Sequence, residues 1–290
     1  MHHLLYELKA LGYRHKEGSF ATQANRRAML RQMGEQLLAA GFNQLHVYEL
    51  KGRHLNALLK QWQADGLSAA TQKNRMAVLR WWAEKIGKAD MFKPTNTAYG
   101  IARRQTIPAV SKARALPGEK LSRISSPYVR MSLELQRAFG LRRQEAIKIK
   151  PWQADEGTRL VLQGSWCKGG HGRSIPILTD AQREVLDRAK TLVRFKEASL
   201  IPKGRTYRVQ LGSYEGHCRR ANLDKMHGLR HHYAQARFLA ITGFQAPAAG
   251  GPTQALLTPE QQALDADARA IISVEMGHYR EQVTATYLGR

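Results

Sequence analysis

Along the first ninety positions, apolar residues recur every three or four places, the spacing that lines one side of an α-helix. Met29, Leu30, Met33, Leu37 and Leu38 fall on one face of a helix over residues 23–40, with Thr22 placed to cap its start and Gly41 to stop it. Leu55, Leu58, Leu59 and Trp62 do the same for residues 54–64. A third helix over 68–86, capped by Ser68, gathers Val78, Leu79, Trp82 and Ile86 on one side and sets Lys73 and Arg80 opposite them. The spacing thus predicts an all-helical domain over residues 1–92.

The pattern lapses between 93 and 115. That stretch contains Pro94, Gly100 and Pro108, no acidic residue, and the basic residues Lys93, Arg103, Arg104, Lys112 and Arg114. It reads as a basic linker able to follow a phosphate backbone. A second domain is predicted over 116–290. Val129, Leu133 and Leu135 face inward from a helix over 127–139 that Gly140 can end, and a short helix with Arg142, Arg143 and Glu145 follows. Two strands, 159–166 and 173–178, flank a Cys-Lys-Gly-Gly-His-Gly tip and read as a β-hairpin. Thr179 or Asp180 opens a helix to about 196, with Val185, Leu186, Ala189 and Val193 inward; further helices cover 207–222 and 226–241. A Gly-, Pro- and Ala-rich excursion comes next. Thr258-Pro-Glu-Gln is a capping signature for a helix reaching Met276, with a break marked at Asp265 and Asp267. The fold class expected is mainly α with a small β-hairpin: a helical N-terminal domain and an α+β second domain.

Charge narrows the partners. Lys and Arg number 46 against 23 Asp and Glu, a formal net charge of +23. Such an excess calls for a polyanion, with nucleic acid ahead of a membrane surface or an acidic protein. No apolar run reaches the roughly 18 residues of a membrane span. The N-terminus lacks the pattern of a signal peptide, and the two cysteines, Cys167 and Cys218, are expected to be reduced thiols in the cytoplasm. Carboxylates are sparse and unclustered, which argues against a nuclease that holds two metal ions.

Candidate chemistry lies toward the C-terminus. Taken singly, Arg142 is a surface arginine, Lys168 a solvated hairpin tip, His227 and Arg230 an ordinary pair on one helix face, His278 a helix-end histidine and Tyr287 a residue at a fraying end. Taken together they suit attack on a DNA phosphodiester. Two guanidinium forks can hold the non-bridging oxygens as charge develops there. A tyrosine phenol, with an ordinary pKa near ~10, needs cations or a base beside it to act as a nucleophile. A lysine on a glycine-rich tip can protonate the departing oxygen, and histidine can exchange protons near neutrality.

Gly140-Leu-Arg142-Arg143-Gln-Glu145, Lys168 in a hairpin, His227-Gly-Leu-Arg230-His231, Gly277-His278 and then Tyr287, nine residues after that histidine, occur in an order and spacing that resembles the tyrosine recombinase (phage integrase) family. The resemblance covers residues 116 to the end, and the N-terminal part is similar in architecture to the family's core-binding domain. It implies that Arg142 and Arg230 clamp the scissile phosphate and that Glu145 buttresses Arg142. Lys168 would protonate the 5′-oxygen, His227 would assist proton transfer with His231 in support, and His278 would hydrogen-bond the phosphate. Tyr287 would form a 3′-phosphotyrosine. Lys73, Arg80, Arg103, Arg104, Lys112, Arg114, Arg143 and Arg173 become expected DNA contacts. The resemblance further implies catalysis without metal, ATP or cofactor, on double-stranded recombination sites. It points to a homotetramer working through a Holliday junction in the bacterial cytoplasm, associated with the nucleoid. The reaction would integrate or excise a mobile element, with accessory DNA-bending or directionality factors.

In two respects the chain departs from the family's pattern. The stretch between Arg230 and His278 is longer than usual and holds the excursion at 243–257, expected to be a surface loop or a contact to DNA or a neighbouring subunit. The chain also runs only three residues past Tyr287, where family members carry a tail that docks on the next subunit. Other readings are a relaxing enzyme of the type IB topoisomerase kind and a non-catalytic DNA-binding protein on the same fold. A zinc protein built on Cys167, His171, Cys218 and His227, His231 or His232 is a weaker alternative, because Cys-x3-His has no matching second half.

Overall fold

A computed structural model describes residues 2–103, 107, 110–278 and 281–290, without the side chain of Glu281. The chain divides into two compact units, Met1–Gln105 and Thr106–Arg290. Arg104 lies outside the described residues.

In the first unit, α1 (His3–Arg14), α2 (Phe20–Ala39), α3 (Gly52–Ala64) and α4 (Ala69–Lys85) surround one core that includes Leu8, Leu30, Leu37, Leu58, Trp62, Leu79 and Trp82. The helix expected from residue 23 starts earlier, because Ser19 rather than Thr22 caps it, its hydroxyl accepting the Thr22 N–H. Ser68 caps α4 in the same way through Thr71. Both buried indoles find acceptors, Trp62 on Gln36 and Trp82 on the Val47 carbonyl. Such partners keep an aromatic core free of orphaned N–H groups.

Residues 93–103 do not form a loose strap. Ile101 is 1% exposed within this core, and Phe92 and Tyr99 pack against it. The apolar residues among the basic ones anchor the segment. Arg80, expected to face DNA, stacks over Phe92 and donates to the Lys93 carbonyl. Its guanidinium pins the chain that follows α4. Lys73 is half-buried and Arg103 exposed.

The second unit holds α5 (Gly118–Ser122), α6 (Pro127–Phe139), α7 (Arg143–Lys148), α8 (Pro151–Ala154), β1 (Arg159–Leu162), β2 (Arg173–Pro176), α9 (Asp180–Val193), α10 (Tyr207–Arg220), α11 (Gly228–Thr242), α12 (Pro259–Glu275) and α13 (Glu281–Leu288). The strands pair antiparallel, Arg159 opposite Pro176 and Leu162 opposite Arg173. They are shorter than the alternation predicts because Gly164–Trp166 turns as a 3₁₀ helix to bury Trp166. One face of α6 packs with the hairpin and α9 through Leu135, Phe139, Leu160, Ile175 and Leu186. Its other face meets α10 and the start of α11 through Val129, Leu133, Tyr214 and Leu229.

Two expectations are corrected. The helix over 259–275 is unbroken, because Asp265 is buried against Arg269, one turn on, at 2.7 Å. The C-terminal segment does not fray: α13 packs on α11 and α12, and Tyr287 and Leu288 join a core with Ala234, Phe238, Ala268 and Ile272. No helix among the described residues is long and apolar enough to cross a membrane.

Candidate active site

The site is assembled where α11 begins, α12 ends and α13 returns. Gly228 opens α11 at a place with no room for a side chain, since a Cβ there would lie 2.3 Å from the Arg114 side chain and 2.6 Å from the Lys112 carbonyl. The Arg114 N–H donates to the Gly228 carbonyl at 3.1 Å, so this end of the expected linker is docked on the helix. The close approach sets His227 and Arg230 on the first turn of α11, on one face. Lys112 and Arg114 remain exposed beside it.

Tyr287 reaches this turn from α13. Its hydroxyl lies 3.1 Å from His227 Nε2 and 3.4 Å from Arg230 Nε, with the residue 7% exposed. The His231 ring packs on the phenol at 4.4 Å between centroids, and His278 stacks on it at 5.2 Å. Arg230 Nη2 can only donate, so His278 Nε2 accepts from it at 3.2 Å, and the His278 proton sits on Nδ1, facing Thr284 Oγ1 at 3.0 Å. Burial, and then the nearby Arg230 and Arg142, push the His278 pKa down to about 3. Burial and His227 lower that of His231 to about 4, and burial and Arg230 lower that of His227. These imidazoles are held neutral near pH 7.

The arginines converge on the C-terminal end of α12. Arg230, 1% exposed, donates to the Met276 and Gly140 carbonyls. Arg142 donates to the Met276 and Gly277 carbonyls, each at 3.4 Å, and to Glu145 Oε1 at 2.7 Å. Arg173 donates to the Glu275 carbonyl at 2.8 Å. A helix C-terminus presents unpaired carbonyls and the negative end of its dipole, and it collects cations. Glu145 is fully buried. Burial raises its pKa, but hydrogen bonds and charge from Arg173, then Arg142, outweigh that and hold it down to about 2.

The structure therefore gathers Arg142, Glu145, His227, Arg230, His231, His278 and Tyr287 at one place. Lys168 is exposed on the hairpin turn, where Gly169 and Gly170 both take positive φ, and stands apart from this cluster's hydrogen bonds among the described residues. Arg143 faces a different cavity of about 850 Å³, bordered also by Gln136, Tyr214, Lys225 and His227, and pairs there with Glu215 at 2.8 Å. Arg173, expected as a DNA contact, is turned inward. Its side chain is 4% exposed and fully engaged by Glu145 and the Glu275 carbonyl. Sequence reasoning did not single out Glu275, whose buried carboxylate accepts from Tyr233 and Arg237, nor Thr284 and Gln235. The one local signal was Thr284, set one helical turn before Tyr287 on the same face.

Chemically, the pocket offers a phenol against an imidazole, with several guanidinium donors around it. Among the described residues one carboxylate, that of Glu145, touches those donors directly. Cys167 and Cys218 are buried free thiols. Among the described residues no group of His, Cys, Asp and Glu could hold a metal ion.

Comparison with known proteins places the fold. Solved structures share the fold at low identity. A lambda integrase dimer bound to a COC′ core site is 16% identical, with the whole of this chain matching 78% of that one at a TM-score of 0.63. The Tn1549 transposon integrase in complex with circular intermediate DNA is 17% identical over 99% of this chain and 95% of that one, at 0.56. The XerH site-specific recombinase bound to a difH substrate is 16% identical over 98% and 80%, at 0.57. No curated protein matches the sequence significantly. Residues 1–92 match the family described as phage integrase, N-terminal, and residues 102–236 match the integrase family. With these two matches spanning most of its length, the chain belongs to the phage integrase, or tyrosine recombinase, family.

Proposed function

We propose that this protein is a site-specific DNA recombinase that cuts and rejoins DNA through a 3′-phosphotyrosine, integrating or excising a mobile element. The observation that carries the reading is the Tyr287 hydroxyl held between His227 Nε2 and Arg230 Nε in a pocket of converging guanidiniums.

In the forward step the Tyr287 oxygen bonds to phosphorus and the bond from phosphorus to the 5′-oxygen breaks. His227, kept neutral by burial, takes the phenol proton, and Lys168 on its exposed turn gives one to the 5′-oxygen. Arg142 and Arg230 exchange their hold on the α12 carbonyls for the non-bridging oxygens. Charge that develops there is then met by donors already in place. His278 lies beside them and, with its proton moved to Nε2 once Arg230 turns to the phosphate, donates a hydrogen bond to a non-bridging oxygen. One phosphoester replaces another, so a 5′-hydroxyl from a partner duplex reverses the step without ATP.

The helical first unit is proposed to hold the duplex, with Lys73, Arg103 and Arg104 as phosphate contacts and Lys112, Arg114 and Arg143 serving the same purpose in the second. Base readout of a specific site would come from groove contacts. Lambda integrase has been captured as a tetramer on a Holliday junction, and a homotetramer on DNA is proposed here too. Accessory DNA-bending or directionality factors, and a place on the bacterial nucleoid, belong to the same proposal.

The test is a suicide duplex nicked beside the cleavage point. The native chain is expected to form a covalent protein–DNA species, and Tyr287→Phe none while still binding the duplex. Equal trapping by both chains would remove Tyr287 from its role. Free relaxation of plasmid by the protein, with two-site DNA never recombined, would replace recombinase with a topoisomerase-like enzyme.

A further inference from the structure

We propose that the excursion at 244–257 is a dock, within the same chain, for the helix that carries Tyr287. Its Pro247–Ala249 turn, together with Arg269 and Gln235 as positioning residues, holds that tyrosine in the active site of its own subunit. The inference rests on the reading of Tyr287 as the nucleophile.

The excursion is built as a fixed seat. Ala246 and Ala248 are buried, and they border the core that contains Tyr287 and Leu288. The Gly251 N–H closes the turn on the Ala246 carbonyl at 3.1 Å, where a Cβ on Gly251 would lie only 1.7 Å from the Gln245 carbonyl. Thr242 ties its start by donating to the Phe244 carbonyl.

What sits on this seat is the end of α13. Gly289 takes φ +80°, and a Cβ there would lie 2.6 Å from the Ala248 nitrogen and 3.1 Å from Pro247 Cβ. The contact is thus backbone against backbone, with no flexible side chain to give way. Two neighbouring helices supply the donors that the last turn lacks. Gln235 on α11 donates to the Tyr287 carbonyl at 2.9 Å, and its own amide oxygen accepts from Ser111. Arg269 on α12 donates to the Gly289 carbonyl at 2.9 Å and is oriented by buried Asp265 at 2.7 Å. Unpaired carbonyls at a helix C-terminus take such donors favourably, a cation above all. The nucleophile is therefore fixed on both sides: the hydroxyl by His227 and Arg230, the backbone by the excursion, Gln235 and Arg269.

The dock sets which subunit's tyrosine serves which pocket. A tyrosine held this way attacks the phosphate clamped by its own Arg230 and does not cross to a neighbour. Gly289→Ala and Arg269→Gln each loosen the seat without touching the reacting groups, and Arg269→Lys keeps the cation.

The first measurement is amide hydrogen exchange in the DNA-free protein. Gly289→Ala and Arg269→Gln are expected to exchange about tenfold faster across α13, the loss of roughly one hydrogen bond, with α6 unchanged. Arg269→Lys should recover much of the protection. Unchanged exchange in α13 for both loosened variants would overturn the dock. The second measurement mixes Tyr287→Phe chains with Arg230→Ala chains on the suicide duplex. The dock predicts no covalent adduct from this mixture, and an adduct on the Arg230→Ala chain once Gly289→Ala is added to it. An adduct from the first mixture would overturn the assignment. Failure of the native chain to form any adduct would sink the recombinase reading alone, and the exchange measurement would still decide the dock.

Discussion

Arg173 holds both carboxylate oxygens of Glu145, at 2.8 and 2.7 Å, and Glu145 in turn holds Arg142 at 2.7 Å. One carboxylate is shared between two guanidiniums in a buried place, and Arg230 stands close by as a third cation. Three positive charges less one negative leave an excess of two, with carbonyl dipoles at the end of α12 filling the donors. A phosphodiester carries one negative charge and reaches about two as a nucleophile adds to it, so the unmatched charge suits the transition state better than the ground state.

We accordingly propose that Arg173 supports Arg142 rather than meeting DNA. Arg173→Ala strands a buried carboxylate, and the fold is expected to lose about 3–5 kcal/mol. Arg173→Lys keeps the charge, loses the two-pronged grip, and should cleave about 10²-fold more slowly as Arg142 drifts. DNA affinity of an Arg173→Gln variant, and its dependence on salt, should match the parent. Titrations over a range of salt concentrations check this, because loss of one phosphate contact lowers the log–log slope by about 1. A slope reduced by that amount would return Arg173 to the DNA interface.

Lys168 is the one expected catalytic group that the structure leaves outside the cluster. Its turn is exposed and carries two glycines at positive φ, and from there the ammonium is proposed to reach a bound duplex. Lys168→Ala should slow cleavage by about 10² to 10⁴ on ordinary DNA, the usual worth of a general acid. A duplex with sulfur in place of the bridging 5′-oxygen releases a thiolate that needs no proton, and on it the variant should regain the parental rate. Single-turnover rates on the two substrates decide the matter. If sulfur gives no relief, the proton comes from elsewhere.

What was legible in the sequence was mostly local. Ser68, Thr179 and Thr258 cap their helices as read, because a cap acts within three residues of itself. The pairing of His227 with Arg230 was legible for a similar reason: the two share one turn wherever that helix lies. The inward role of Arg173 was not legible because its partners are Glu145, 28 residues away, and a carbonyl 102 residues away. A carbonyl has no side chain to signal it. Ile101 and Tyr99 look like occasional apolar residues in a basic linker, and only the folded first unit shows the core they complete. Tyr287, taken singly, sits so near the end that its position argued for fraying. Its burial depends on Ala248, Gln235 and Arg269, none of them neighbours in sequence.

The histidine cluster makes the fold sensitive to acid. His278, His231 and His227 have their pKa values lowered by burial and by nearby cations, to about 3 and about 4 for the first two, against 6.5 for an ordinary histidine. Below 6.5 the unfolded chain binds protons that the folded chain refuses, so stability is full above that pH and falls as pH drops toward 4. Each such group contributes a slope of at most about 1.4 kcal/mol per pH unit. Glu145 adds a second, lower window. Its folded value near 2 lies below the ordinary 4.5, so its stabilisation is present above 4.5 and is lost between 4.5 and 2. Urea unfolding from pH 7.5 to 4.5 should show the first decline, and His278→Gln should flatten it. Equal slopes in parent and variant would mean that His278 is not held neutral by the fold.

Gly140 joins the fold to the clamp most directly. It ends α6 at φ +60°, and a Cβ there would stand 2.5 Å from the Tyr233 ring, while its carbonyl accepts from Arg230. Tyr233 cannot yield easily, since its hydroxyl is fixed on Glu275 at 2.8 Å. Gly140→Ala must therefore move the backbone of the turn, at a cost of about 1–3 kcal/mol in stability. The carbonyl moves with it, and Arg230 loses one of the acceptors that fix its plane. Cleavage is expected to fall more than duplex binding, because displacing a guanidinium by a fraction of an ångström matters most where charge develops on the phosphate. Denaturant unfolding and single-turnover cleavage on the same preparation separate the two effects. Parental stability together with a parental rate would show that the turn relaxes freely and that Arg230 does not depend on the Gly140 carbonyl.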